Sequence, residues 1–238
     1  MKYSIEFSPI FSILRIKLEV GEVIKATTGA MLGLSPGIEL KVTTTTGKGF
    51  WGSLGAMFGG VKLFSTEYTA LQAGELVLAP SAPGDIVYIP MKGGTIFTKV
   101  GAYLAGSREL AISAHGSFRA MFSGKGLFLT KITGIGHLFV NSFGAIIEKD
   151  LSPGELYRVD TGHIVAFDES VTYKIKRAAK GIFTTWASGE GFVCDYLGPG
   201  RIWIQTRKLS SFARLLSPYL YRGSTSSTAS DYRKDEKT

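Results

Sequence analysis

Apolar and polar residues alternate along much of this chain. Leu14, Ile16, Leu18 and Val20 alternate with Arg15, Lys17 and Glu19, and Val171, Tyr173 and Ile175 with Thr172, Lys174 and Lys176. Ile202 and Ile204 alternate with Arg201, Trp203 and Gln205. Successive side chains of a β-strand point to opposite faces, so a period of two predicts half-buried antiparallel strands. Ile38, Leu40 and Val42, followed by four threonines, predict another. Pro83-Gly84 and Pro153-Gly154 supply turns. Helical spacing occurs only about residues 208 to 217, where Leu209, Phe212 and Leu216 share one face and Ser210 or Ser211 stands near the start. Pro218 is expected to end this helix, because proline lacks the amide N–H a helix needs.

Four short markers recur in fixed order, three times over. The first is Gly21-Glu22-Val23, Gly84-Asp85-Ile86 and Gly154-Glu155-Leu156. The second is Thr28-Gly29-Ala30, Val100-Gly101-Ala102 and Thr161-Gly162-His163. The third is Gly47-Lys48-Gly49, Gly124-Lys125-Gly126 and Gly189-Glu190-Gly191. The fourth is Gly59-Gly60, Gly134-Ile135-Gly136 and Gly198-Pro199-Gly200. The period is roughly 65 to 75 residues, which predicts an internal repeat. The expected organisation is three β units, at 1–70, 71–142 and 143–207, then a helix over 208–220 and a tail at 221–238. The tail is almost without apolar residues and is expected to be disordered.

Composition sharpens this picture. The chain has 238 residues, 45% of them hydrophobic, enough for a substantial core. It holds 30 glycines but only 8 prolines, in keeping with many tight turns between short strands. The formal net charge is +8, which favours anionic partners such as nucleic acid or lipid head groups. The single cysteine, Cys194, excludes an intramolecular disulfide and a multi-cysteine metal site, and suits a reducing compartment. No signal-peptide core and no run of ~18 apolar residues occurs. A cytoplasmic protein is expected, at most peripheral to a membrane.

Gly84-Asp85-Ile86, the run from Val159 through His163 to Phe167, Gly189-Glu190-Gly191, and Gly198-Pro199-Gly200 followed by Gln205-Thr206-Arg207 resemble the altered-inheritance-of-mitochondria family over about residues 5 to 217. The resemblance implies a fold similar to the trp RNA-binding attenuation protein, with β-sandwich units in pseudo-threefold arrangement. Prokaryotic members are mostly of uncharacterised function. Eukaryotic relatives are mitochondrial and linked to inner-membrane organisation. This chain shows no transit peptide, so that location does not carry over.

Candidate chemistry is sparse. His115, His137 and His163 lack the spacing of a metal pair on a strand or helix. His163, near Asp160 and Asp168, reads as a turn histidine bonded to a carboxylate or to backbone. Cys194 lies in an apolar stretch with no local base, as a buried strand cysteine does. The Gly-Lys-Gly loops do not open helices, so they read as hairpin turns rather than phosphate loops. No catalytic residue, cofactor site or metal site is assigned, and a non-enzyme is expected. The charge-free segment Phe50–Phe58 supplies candidate protein or membrane contacts, Trp51, Leu54, Met57 and Phe58, with burial as the favoured alternative. Candidate anion contacts are Lys62, Arg201, Arg207 and Lys208. The leading expectation is a non-catalytic scaffold or interaction module, acting on an unknown protein partner or by self-association. The alternative is a basic protein that binds nucleic acid or an anionic membrane surface.

Overall fold

A computed structural model of the chain describes residues 1–44, 64–115, 129–177 and 192–220. These residues are mostly antiparallel β-structure with a short C-terminal helix. The first strands are β1 (Lys2–Glu6), β2 (Ile13–Leu18), β3 (Val23–Thr27), β4 (Met31–Leu34), β5 (Ile38–Thr44), β6 (Phe64–Ala70) and β7 (Gly74–Leu78). The middle stretch holds β8 (Ile86–Lys99), β9 (Tyr103–Ser107), β10 (Ala111–His115) and β11 (Leu129–Asn141). The last holds β12 (Ile146–Leu151), β13 (Leu156–Asp160), β14 (Ile164–Asp168), β15 (Thr172–Arg177), β16 (Phe192–Leu197) and β17 (Gly200–Gln205), then helix α1 (Leu209–Leu220).

The strand pairings follow one scheme in each stretch. β2 and β4 flank β7, while β3 and β5 flank β6. In the middle, the two halves of β8 pair with the two halves of β11, and β9 and β10 pair with β11 from its other edge. In the last, β12 and β14 flank β17, while β13 and β15 flank β16. The first set takes in β7, which lies beyond residue 70. Two further pairings, β3 with β9 and β14 with β8, join the sets in a row within one ten-stranded sheet. A pairing that closes this row into a threefold ring does not occur among the described residues.

Three apolar cores follow. Leu14, Ile16 and Leu18 enter the first, as their alternation predicts, and are almost solvent-free. Val20 is past the end of β2 and exposed. Strand β17 departs from its half-buried reading. Ile202 packs into the third core and Trp203 into the second, both fully buried, because β17 lies between two cores. Strand β5 departs the other way: Leu40 and Val42 are exposed at the end of the large sheet. Pro218 does not stop α1, which runs on to Leu220. Only the last turn is affected, and in an exposed helix water can take the carbonyl that the missing N–H leaves unpaired.

The chain crosses itself tightly where the three sets begin. Phe11, Gly84 and Gly144 lie side by side through two isolated parallel bridges. A Cβ on Gly84 would fall inside the Ser142 carbonyl, so only glycine fits this crossing. Asp85 ties the crossing together. Its carboxylate accepts from Ser8 Oγ at 2.8 Å, Ser12 Oγ at 3.1 Å, its neighbour's Ile86 N at 2.9 Å and Ile146 N at 3.3 Å.

Candidate functional site

The crossing forms the floor of a cleft of about 650 Å³. Pro9 and Ile10 of the N-terminal turn, Pro83, the connector Phe143–Ala145, and Phe212 and Leu215 of α1 line it. Ser8 and Ser12 hold the turn through Asp85, which fixes Ile10 at the rim. The Phe7 backbone adopts φ 59°, a region bulky side chains rarely enter. Its side chain is 70% exposed, as are Ile10 at 55% and Phe11 at 68%.

Helix α1 forms the opposite wall. Its apolar residues follow helical spacing, yet none is buried. Leu209, Leu215, Tyr219 and Leu220 face solvent, and Phe212 meets the body through the Phe143 ring. Lys208 anchors the start of the helix. Its Nζ lies 2.8 Å from Asp160 Oδ2, and its carbonyl accepts from the amides of Ser211 and Phe212. Nearby, Lys99 Nζ donates to the Gly162 carbonyl, and burial lowers its ammonium pKa against the opposing pull of Asp160.

The candidate anion contacts separate here. Arg201 holds Asp168 through Nε at 3.1 Å and stacks 4.8 Å over the Trp203 ring, with Glu148 near its other edge. Arg201 and Lys208 are therefore engaged by carboxylates. Arg207 is exposed at the cleft, donates to the Thr206 carbonyl, and has no carboxylate partner among the described residues. Arg214 on α1 also lacks one among them. Lys62, Trp51, Leu54, Met57 and Phe58 lie outside the described residues, as does the tail at 221–238.

Of the reactive side chains, His163 is bonded to backbone and Cys194 is buried, while the solvent-shielded Nδ1 of His137 has no hydrogen-bond partner among the described residues. His163 Nδ1 is 2.7 Å from the Gln205 carbonyl, so this nitrogen carries the proton and donates it to backbone. Cys194 is fully buried in β16, and burial pushes its thiol up to about 11. Among the described residues, no three His, Cys, Asp or Glu side chains come together as a metal site needs. No helix among them is long and apolar enough to cross a membrane.

The cleft as a whole leaves no local pattern in the sequence. Its walls come from Pro9–Ile10, Phe143 and α1, which lie far apart in the sequence, and the exposed Phe7, Ile10 and Phe11 carry no period. The helical spacing of Leu209, Phe212 and Leu216 was the one visible signal.

Residues 3–207 match the family model described as mitochondrial biogenesis AIM24. An uncharacterized protein of Streptococcus pyogenes serotype M6 is 32% identical over 229 residues, covering 92% of this chain and 91% of that protein. The X-ray structure of a Streptococcus pyogenes protein from a structural-genomics consortium superposes with a TM-score of 0.75 at 30% identity, covering 92% of this chain and 99% of that one. With the family model matched over residues 3–207 and a relative 32% identical over nearly the full length of both chains, the protein belongs to the mitochondrial biogenesis AIM24 family.

Proposed function

We propose that this protein is a non-catalytic interaction module that docks on an anionic membrane surface. The contact is made by the turn at residues 7–11, the cleft and the outer face of α1. The carrying observation is that α1 leaves Leu209, Leu215, Tyr219 and Leu220 largely in solvent, beside three exposed side chains of the turn. Contiguous exposed apolar surface marks a contact site, and a short amphipathic helix that carries Arg214 and follows Arg207 and Lys208 suits the boundary between lipid head groups and acyl chains.

Charge supports the same reading. Between Asp195 and Asp231 the sequence has no acidic residue, and it holds Arg201, Arg207, Lys208, Arg214 and Arg222. Basic side chains close to an anionic leaflet contribute about 1 kcal/mol each. Arg201 and Lys208 already hold carboxylates, which leaves Arg207 and Arg214 to meet head groups, and the exposed apolar side chains beside them favour lipid over nucleic acid. The non-catalytic reading draws on His163 being bonded to backbone and Cys194 being buried with a raised thiol pKa.

Vesicle co-sedimentation tests the proposal. Vesicles with anionic phosphatidylglycerol should take up the protein at low salt and release it as salt rises, while phosphatidylcholine vesicles should not. Capture by single-stranded RNA without capture by anionic vesicles would overturn it.

A further inference from the structure

The two pairings that join the strand sets have the same register. Between the first two sets, Ile24 lies opposite Ser107, Lys25 opposite Gly106 and Ala26 opposite Ala105. Between the next two, Ile96 lies opposite Asp168, Phe97 opposite Phe167 and Thr98 opposite Ala166. Counting from the turn glycines Gly29, Gly101 and Gly162, these are the same positions of corresponding strands. A third joint of this kind would bring β13 to β4. Among the described residues it is not made: β13 pairs only with β16, and β4 only with β7.

The unmade joint leaves a shaped surface at each end of the row. β4, β9 and β14 each carry a β-bulge after their first residue, skipping Leu32, Leu104 and Val165 respectively. A bulge re-aims the extra side chain. Leu104 packs into the core of the preceding set, and so does Val165, at 2% and 1% exposure. Leu32 occupies the same bulge and is 64% exposed. At the far end, Leu156 and Tyr157 of β13 are also exposed. Among the described residues, one end thus presents a knob with no socket and a strand edge with no second neighbour, and the other presents the matching edge.

We propose that two copies of this chain associate head to tail, β13 of one adding antiparallel to β4 of the next. The register is the internal one, with Tyr157 opposite Ser35, Arg158 opposite Leu34 and Val159 opposite Gly33. Leu32 of one copy then packs against the third core of the other, as Leu104 and Val165 do within the chain. Backbone hydrogen bonds of the added strand supply affinity, and the bulged leucine supplies register. Because the two surfaces differ, the interface is heterologous and each copy keeps one end open after the first contact.

Sedimentation velocity on the full chain tests this. The average mass should rise with concentration past that of a dimer. Leu32→Glu and Tyr157→Glu each alter an exposed side chain at opposite ends, so each should fold and remain monomeric. An equimolar mixture should form a heterodimer and stop there, because one intact β4 edge meets one intact β13 edge. Ser35→Cys mixed with Tyr157→Cys should cross-link under oxidation, since directly opposed residues hold their Cβ atoms about 5 Å apart. A wild-type chain that stays monomeric at high concentration overturns the proposal. So does a mixture of the two glutamate variants that fails to dimerise.

Discussion

The ring of Phe212 lies 5.4 Å from that of Phe143, tilted by 53°, and joins helix α1 to the connector that floors the cleft. With no residue of the helix buried, this aromatic contact and the Lys208–Asp160 pair hold α1 in place. Phe143→Ala should loosen the helix while sparing the β-body. An aromatic pair of this kind contributes about 1 kcal/mol. Hydrogen exchange should therefore speed up across residues 209–220, with little change in the strands.

Asp85 carries a larger share of stability. Its carboxylate is nearly solvent-free and accepts four hydrogen bonds from three separate parts of the chain. Asp85→Ala strands these donors and should cost about 3 kcal/mol, since an unsatisfied buried donor is costly in itself. Urea unfolding should show the loss as a lower midpoint.

The strands were legible where one face meets a core, as at Leu14, Ile16 and Leu18. They were not where a strand is buried on both faces, because Trp203 among Arg201 and Gln205 looks like part of a polar face. Glycine markers were legible where a positive φ demands glycine, as at Gly29 and Gly101. The middle copy of the first marker departs from this scheme. Gly21 and Gly154 turn the chain before β3 and β13 with positive φ, and the corresponding residue is Gly93, φ 97°, inside the long strand β8. Gly84 belongs instead to the crossing, a role no period reveals. The cleft depends on contacts between distant segments, which local patterns do not encode.

Acid should weaken the third strand set through Asp195. This carboxylate is 4% exposed and is paired with Arg158 and Lys176. The Arg158 hydrogen bonds, then those of Lys176, hold its pKa far below the usual carboxylate range. The unfolded value is about 3.9. Its contribution is thus complete above that value and is lost as pH falls towards the folded one. Asp195→Asn should lower stability at pH 7 and reduce the fall in stability between pH 4 and pH 2, measured by urea unfolding at each pH.

Cys194 should be inert in the folded protein. Burial keeps its thiol neutral at pH 8, because the folded-state pKa is about 11 and the unfolded value about 8.5. Ellman's reagent should detect no thiol in native protein and one per chain in denaturant. Fast native labelling would place Cys194 outside the core.

This inertness permits the most direct test of membrane docking. Leu216→Cys places a single accessible thiol on the apolar face of α1, where an environment-sensitive dye can be attached. The account predicts a blue shift and brightening of the dye with anionic phosphatidylglycerol vesicles, reversed by high salt, and no response to phosphatidylcholine vesicles. A dye that stays in a water-like environment while the protein sediments with anionic vesicles would contradict it, because the helix face would then not be the contact.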